Sequence, residues 1–390
     1  MKRKLTLTAL LASSIICSAQ YPGSKYYPIV EGDDVTFIIS APAASSVKVF
    51  GDFLPGVNEY NLGGNVEMIR NSKGEWSYTA KDLAPDFYFY YFEVDGVKVL
   101  DPHNLKVVCN YSEFYNSFFI SGEESEDLEY RDSAKGSVHT IWYDSPEYGG
   151  QRRMNVYLPA DYSSEKRYPV LYMLPGGGDD EDTWMDMGRL PQIMDNLIAK
   201  KKAKEMLVVM VNSMPNQLSA PHIMNPIPGK KSHFEMMGTP EGSSGGEFAN
   251  DLIRNVIPYI ESHFSVIPEK KGRAICGVSM GGLYLTNIIQ NNPKTFDHIA
   301  LMGSGIMGKG SGDEVLEPVK KEGYRLFWIG AGQKDMAFSS ARNIMEAMDR
   351  LSMPYIYFDP QDGHNWSPVP RSKCYGGRKR RKDGRVILEL

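Results

Sequence analysis

The sequence predicts two regions of different fold class, an all-β sandwich followed by an α/β region with an open, mostly parallel sheet. Residues 30–120 contain short strands separated by turns, whereas from about residue 137 strand-length apolar runs alternate with helical patterns. Such alternation places helices on both faces of a mostly parallel sheet. The chain has 390 residues. Because a typical domain has roughly 100–200 residues, this length agrees with a division into about two domains.

The composition is that of an ordinary globular protein. Hydrophobic residues make up 42% and charged residues 23% of the chain, which excludes disordered, collagen-like and multi-pass membrane classes. The net charge of −5 gives no electrostatic reason to expect a polyanionic partner, because phosphate binding needs clustered Lys and Arg. We therefore expect no nucleic acid as a partner and no stable membrane insertion.

The amino terminus has the pattern of an export signal. Residues 2–4 are basic, residues 5–16 are apolar but too few to span a bilayer, and Cys17-Ser18-Ala19 offers a small-residue cleavage site. We expect a signal peptide over residues 1–19, cleavage after Ala19 and a periplasmic or extracellular protein. The alternatives are a short membrane anchor and a lipoprotein with a lipidated Cys17, although Ile16 is bulky for a lipidation site.

The cysteines argue against structural metal and against a disulfide framework. Without Cys17 the chain keeps Cys109, Cys276 and Cys374, an odd and scattered set. We expect no metal and no cofactor.

Residues 20–122 are predicted to form a β-sandwich accessory module. The predicted strands are residues 35–40, 47–51, 76–80, 87–94 and 97–100. Residues 87–92 are all aromatic, so one face of this strand should pack in the sandwich while the other is half exposed. The acidic residues 123–136 follow, and they are predicted to be a linker.

The α/β region is predicted over residues 137–366. Its predicted strands are residues 168–174, 206–211, 273–278, 299–303, 326–330 and 354–358, and its predicted helices are residues 193–202, 248–264, 282–290 and 340–351.

The strongest site signal is the segment Gly277-Val278-Ser279-Met280-Gly281, which lies between a predicted strand and a predicted helix. A nucleophile elbow, the strand-to-helix turn of the α/β hydrolase fold, holds its serine in a strained conformation and needs small neighbours. The alternative is an ordinary Gly-rich turn. The context favours Ser279 as a catalytic nucleophile.

A nucleophilic serine needs a base, and in this fold the partners follow in the order Ser, acid, His. Only His298 and His364 follow Ser279. His298 begins the next predicted strand, whereas His364 lies in a loop after the last one, where such sheets carry their functional loops. His364 is the predicted base, and a surface-loop histidine is the alternative.

The acid is predicted to be Asp335, which ends the segment LFWIGAGQKD. This segment lies one strand–helix unit before the histidine. Asp335 can accept the second imidazole proton and hold the tautomer. Asp359 and Asp362 compete, but a carboxylate so close to His364 in one loop seldom reaches under its ring.

An oxyanion hole needs two backbone donors, one from the residue after the nucleophile and one from a Gly-rich loop after an earlier strand. Met280 is the first candidate, and Gly176 and Gly177 of the triple glycine are the second. An ordinary turn is the alternative. A phosphate loop is not expected, since no Gly-Lys-Ser/Thr follows.

Several segments together are similar to carbohydrate esterase family one, whose members include feruloyl esterases, acetylxylan esterases and esterase-D-like hydrolases. They are YPVLYMLPGGGDDEDTW, IMDNLIA, FANDLIRNVIPYIESHF, ICGVSMGGL, LFWIGAGQKD and DGHNW. The resemblance implies an α/β hydrolase fold with Ser279 as nucleophile, His364 as base, Asp335 as acid and backbone oxyanion donors at Met280 and the glycines.

The first region resembles the immunoglobulin-like accessory module of carbohydrate-binding module family forty-eight, through VTFIISAPAASSVKVFGDF and GEWSYTAKDLAPDFYFYYFEVDGVKVLDPHN. Such modules either bind glycan or buttress the catalytic domain.

The chain departs from the esterase pattern in two places. Pro175 stands where many relatives have a histidine, and residues 367–390 form an atypical basic tail where the family has a final amphipathic helix.

The prediction is an exported serine esterase that releases ferulate or another hydroxycinnamate from plant cell-wall xylan. Trp184 and Trp366 are candidate walls of an apolar cleft for a planar acid. The alternatives are an acetylxylan esterase on acetylated xylan, a related siderophore or lipid acyl hydrolase, and a non-catalytic carbohydrate-binding protein.

Overall fold

The computed structural model describes residues 28–56, 63–110, 113–221, 226–231, 235, 245–307, 312–360, 363–364 and 366. The predicted signal peptide and the basic tail lie outside these residues.

Residues 28–122, here called the β region, contain antiparallel strands in two sheets. Successive side chains of a strand point to opposite faces of the sheet. In the second strand, Val35, Phe37 and Ile39 therefore share one face, and this face is buried. The all-β prediction is therefore confirmed. In chain order the strands are β1 (Ile29–Glu31), β2 (Asp34–Ser40), β3 (Val47–Gly51), β4 (Gly64–Glu67), β5 (Ile69–Arg70), β6 (Glu75–Ala80), β7 (Phe87–Val94), β8 (Val97–Val99), β9 (Val107–Asn110) and β10 (Glu113–Phe119).

One sheet has the strand order β1-β2-β6-β5, and the other has the order β4-β3-β7-β10-β9 with β8 paired to β7. The aromatic strand β7 is covered on both faces. Tyr88, Tyr90 and Phe92 lie in the core between the sheets, whereas Phe87 and Phe89 pack against the second region. The expectation of a half-exposed second face is wrong at Phe87 and Phe89, because the neighbouring region covers them.

The α/β region contains an eight-stranded sheet in the order β11-β12-β14-β13-β15-β16-β17-β18. Strands β13 to β18 pair in parallel, and β11 and β12 form an antiparallel edge. The mostly parallel sheet is as predicted. The strands are β11 (Ser137–Ser145), β12 (Gly150–Leu158), β13 (Val170–Leu174), β14 (Leu207–Val211), β15 (Arg273–Val278), β16 (His298–Met302), β17 (Leu326–Gly330) and β18 (Ile356–Phe358).

Helices cover both faces of this sheet. Side chains alternate between two cores, so Tyr172 and Leu174 lie in one while Leu171 and Met173 lie in the other. A π-helical turn at Leu252–Val256 joins α3 to α4. The helices are α1 (Thr183–Asp186), α2 (Leu190–Ala199), α3 (Gly246–Asp251), α4 (Ile257–His263), α5 (Met280–Asn291), α6 (Asp313–Glu322) and α7 (Phe338–Arg350).

Two elements of this region carry no clear sequence signal. The edge strand β11 is mostly exposed, and its apolar run is only the three residues 141–143. Helix α6 contains Pro318, has few apolar residues and buries only Leu316 and Val319.

The segment after the β region is packed rather than extended in solvent. Residues Glu126–Leu128 form a 3₁₀ turn in which Leu128 is buried against α2. Asn196 of α2 donates to the carbonyls of Asp127 and Glu129 at 3.0 and 2.9 Å. These bonds fasten the segment to the α/β region.

Within the described part of the chain, no helix has the length and apolar character needed to cross a bilayer.

Candidate active site

The parallel strands β13, β15, β17 and β18 end at the same edge of the sheet. The loops that follow them carry Gly176, Ser279, Asp335 and His364. Because parallel strands bring their carboxyl ends together, four segments that are distant in sequence become neighbours here.

Ser279 occupies the turn between β15 and α5 in a strained conformation, with φ 49° and ψ −115°. Its N–H donates to the Met302 carbonyl at 2.8 Å, which fastens the turn to β16. The turn requires its glycines, since a Cβ on Gly277 would lie 2.5 Å from the Gly281 carbonyl oxygen, and one on Gly281 would lie 2.4 Å from the Pro175 oxygen. The geometry is that of a nucleophile elbow.

Three side chains form one hydrogen-bonded chain. His364 Nε2 lies 2.7 Å from Ser279 Oγ, and His364 Nδ1 lies 2.8 Å from Asp335 Oδ1. A carboxylate only accepts, so Nδ1–H donates to Asp335 and Nε2 of the neutral ring can accept the Ser279 proton. Asp335 also accepts from the Ala337 N–H at 2.7 Å, which orients the carboxylate. This arrangement can activate a serine hydroxyl.

The competing residues lie elsewhere. Asp359 accepts from Gln333 Nε2 at 2.9 Å. His298 is buried at the start of β16, the opposite end of the sheet from Ser279. Asp362 lies outside the described residues.

The predicted oxyanion donors lie on both sides of Ser279. Met280 is the first residue of α5, so its N–H belongs to the helix terminus. Gly176 adjoins the serine, because a Cβ at Gly176 would lie 3.8 Å from Ser279 Cβ. Gly177 is buried, and the Gly178 N–H donates to Met214 Sδ at 3.3 Å.

A cleft of about 1340 Å³, its open mouth included, contains Ser279, Asp335 and His364 in its wall. Trp184 and Trp366 both line it, with ring centroids 5.2 Å apart in an edge-to-face arrangement. The wall is mostly apolar, which suits a ligand with an extended hydrophobic surface. Its apolar residues from the α/β region also include Met187, Leu190, Ile193, Val278, Met302, Trp328 and Phe358.

Sequence reasoning missed the part of the cleft that the β region supplies. Phe50, Phe89, Tyr91, Asn110 and Tyr115 also line it. The aromatic run in β7 was the available signal, but only the packing of the two regions places it beside Ser279.

Sequence reasoning also missed Gly303, which follows β16. Its φ is +49°, and it lies against both Asp335 and His364. The pairing of β16 with β15 brings this glycine beside the nucleophile turn.

The loop after the triple glycine is acidic and buried. Burial, reinforced by the neighbouring Glu181 and Asp182 carboxylates, raises the pKa of Asp180 to about 7. Arg153 compensates part of this charge through ion pairs of 2.5 Å with Glu181 and with Asp182. Glu181 remains fully buried, and burial raises its pKa as well.

Among the residues that the structure describes, no group of three or more His, Cys, Asp and Glu side chains is arranged to hold a metal ion.

Comparison with known proteins places the chain among esterases. The model of the family described as "Putative esterase" matches residues 145–352. An "endo-1,4-beta-xylanase/feruloyl esterase" from Xylanibacter ruminicola is 28% identical over 326 residues, which are 80% of this chain and 40% of that protein. The chain thus spans less than half the length of this relative. The predicted resemblance to the esterase family is confirmed, and so at family level is the prediction of a carboxylic ester hydrolase.

Solved structures share the fold. A CE1 ferulic acid esterase from the anaerobic fungus Anaeromyces mucronatus is 24% identical with a TM-score of 0.54, covering 65% of this chain and 94% of that one. An enterochelin esterase from Shigella flexneri is 14% identical with a TM-score of 0.62, covering 90% of this chain and 94% of that one. These likenesses confirm the α/β hydrolase-like fold.

Proposed function

Because the chain belongs to the putative esterase family, we propose that it hydrolyses ester-linked acyl groups of plant cell-wall xylan through an acyl-enzyme on Ser279. The observation that carries the proposal is the chain of hydrogen bonds from Ser279 Oγ through His364 to Asp335, with heavy-atom distances of 2.7 and 2.8 Å.

In the first half-reaction Ser279 Oγ attacks the ester carbonyl while His364 Nε2 takes the serine proton. The Asp335 carboxylate stabilises the imidazolium that forms. The N–H groups of Met280 and of Gly176 or Gly177 bind the oxyanion of the tetrahedral intermediate. His364 then gives the proton to the sugar oxygen as the ester C–O bond breaks, so the sugar leaves with a free hydroxyl and the acyl group stays on Ser279.

In the second half-reaction water attacks the acyl-enzyme. His364 takes a proton from the water, the tetrahedral intermediate collapses, and the proton returns to Ser279 Oγ as the free acid leaves. No step needs a metal or an organic cofactor.

The acyl group is proposed to be ferulate or another hydroxycinnamate. Two observations support an aromatic acid. The cleft is lined by tryptophans, including Trp184 and Trp366, and the Xylanibacter ruminicola relative carries the name of a feruloyl esterase. Acetylated xylan is the alternative substrate within the same class.

We further propose that the protein is exported, with a signal peptide over residues 1–19, and that residues 20–122 form an immunoglobulin-like module joined to the esterase domain of residues 137–366. The basic leader and the short apolar run after it support export.

The test measures hydrolysis of methyl ferulate and of acetylated xylan by the chain from Gln20 onward. Ser279→Ala should abolish both ferulate release and labelling by a fluorophosphonate, whereas Ser262→Ala, an exposed serine on α4, should change neither. Acetate release without ferulate release would indicate an acetylxylan esterase. Hydrolysis of siderophore or lipid esters without hydrolysis of hydroxycinnamate esters would indicate a siderophore or lipid acyl hydrolase. A folded protein without labelling at Ser279 would contradict the enzyme and favour carbohydrate binding.

A further inference from the structure

The β region forms one wall of the cleft that holds Ser279. This wall is the face of the second sheet on which Phe89 and Tyr91 of β7 and Tyr115 of β10 lie. The Tyr91 and Tyr115 ring centroids are 5.9 Å apart, and Phe50 stacks on Tyr91 at 4.7 Å. Side chains from both regions of the molecule therefore border the cleft at Ser279.

This wall is held firmly in place relative to Ser279. Phe87 and Phe89 share one apolar core with Met187, Ile193 and Leu197 of the α/β region. Such a dry contact between regions allows little relative motion.

A second link between the regions is the side chain of Arg189. Its guanidinium lies 5.1 Å from the Phe87 ring centroid and 5.4 Å from that of Phe119. Its Nε donates to the Leu128 carbonyl at 2.6 Å. Arg189 therefore helps to fix the position of the wall relative to the α/β region.

The wall contains one unsatisfied buried acceptor, Asn110 Oδ1. Asn110 is 2% exposed, lines the cleft, and its Oδ1 atom has no hydrogen-bond partner among the described residues. Leaving such an atom unpaired costs about 1–3 kcal/mol.

Two neighbouring asparagines of the β region are bonded. Asn116 Oδ1 accepts from the Asp101 N–H at 2.6 Å and its Nδ2 donates to the Asn104 carbonyl at 2.8 Å. Asn104 Nδ2 in turn donates to the Ser117 carbonyl at 2.9 Å. The unpartnered acceptor is thus particular to the asparagine that borders the cleft.

The surroundings of Asn110 indicate what it binds. Its strand, β9, packs on α1, the helix of Trp184, and Phe89 and Tyr115 line the same cleft. Apolar rings on several sides favour a planar aromatic group, and an acceptor among them favours a hydroxyl on that group.

Resting on the proposed function, we propose that Asn110 is a specificity residue of the β region. Its Oδ1 accepts a hydrogen bond from the phenolic hydroxyl of a hydroxycinnamoyl group bound at Ser279. The β region would then select the acyl group and not only support the esterase domain.

The experiment compares two esters that differ by one group, methyl ferulate and methyl 3-methoxycinnamate, which lacks the 4-hydroxyl. The wild-type protein should prefer methyl ferulate. Asn110→Ala should lower kcat/KM for methyl ferulate about tenfold and leave kcat/KM for methyl 3-methoxycinnamate unchanged. Asn65→Ala, an exposed asparagine on β4, is the control and should change neither value.

Asn110→Leu removes the acceptor at similar side-chain volume. Because it replaces an unpaired buried acceptor by an apolar group, it should unfold at the same or a higher temperature and lose the same preference. This variant keeps the test decisive if Asn110→Ala folds poorly.

An equal loss on both esters, or an unaltered preference for methyl ferulate in both variants, would overturn the role of Asn110 and leave the proposed function intact. Wild-type protein that hydrolyses acetate esters but neither cinnamate ester would overturn the proposed acyl group and this inference with it.

Discussion

A Cβ atom on Gly303 would lie 3.0 Å from Nδ1 of His364, inside the contact distance of real side chains. The same atom would lie 2.8 Å from Asp335 Oδ2. Gly303 also has a φ of +49°, which favours glycine. The backbone at the end of β16 therefore packs directly against the His364 ring and the Asp335 carboxylate.

Gly303→Ala should lower kcat/KM about 100-fold, because its methyl group displaces His364 from Ser279. Gly323→Ala is the matched control. Gly323 also has a positive φ, of +74°, but has no atom within 4 Å of its Cβ position, so that variant should lose stability without losing activity. Ester hydrolysis and thermal unfolding measure the two effects. Equal activity losses in both variants would contradict a specific contact with His364.

Asp335→Asn should lower kcat by about 10³-fold or more while leaving the fold intact. An amide can donate as well as accept, so it no longer holds the His364 tautomer that accepts from Ser279. Asp359→Asn is the control, since Asp359 pairs with Gln333. Steady-state kinetics of both variants test the assignment. A larger loss in Asp359→Asn would transfer the acid role to that residue.

Arg189→Ala should lower the free energy of unfolding by about 2–3 kcal/mol. Its guanidinium contacts aromatic rings of the β region, and its Nε donates a hydrogen bond to the Leu128 carbonyl. The substitution therefore removes contacts that hold the β region against the α/β region. Denaturant unfolding measures the change, and limited proteolysis should detect earlier release of the β region. Arg342→Ala removes an exposed pair with Glu346 and should have almost no effect. Equal effects of the two variants would contradict the role of Arg189.

Asp180→Asn should stabilise the protein increasingly as the pH rises from about 4 to about 8. Burial raises the pKa of Asp180 to about 7, so the folded state binds a proton that the unfolded state has released. The wild-type free energy of unfolding therefore falls as the pH rises through this window, by at most about 4 kcal/mol.

An asparagine at position 180 removes this titration and keeps the oxygen that accepts from the Asp182 N–H at 3.0 Å. Thermal unfolding at pH 4, 6 and 8 measures the difference. Asp132→Asn, at an exposed aspartate, should give a difference that does not depend on pH. A pH-independent difference for Asp180→Asn would contradict a proton held by the folded state.

Local patterns were sufficient to predict much of the candidate site. The glycines around Ser279 are needed by the turn itself, so they appear as a short motif. Asp335 and His364 each follow a strand of the parallel sheet, and parallel pairing brings the ends of such strands together. For this reason periodicity and motif order located the three side chains before any distance was known.

The strands β3, β7, β15 and β17 were predicted with the bounds that the structure gives them. Strands β15 and β17 are buried and have continuous apolar runs, whereas β3 alternates between buried and half-buried residues and β7 is mostly aromatic. The edge strand β11 and helix α6 bury few residues, so their sequences carried little signal.

By itself the sequence determined the two fold classes, the esterase family and the order of Ser279, Asp335 and His364, because each depends on local periodicity or on a short motif. Tertiary structure alone decided that Phe89, Tyr91 and Asn110 border the same cleft as Ser279, and that Gly303 lies beneath His364. These contacts join residues far apart in the chain through the packing of one surface on another. No spacing along a single strand encodes which surface will cover it.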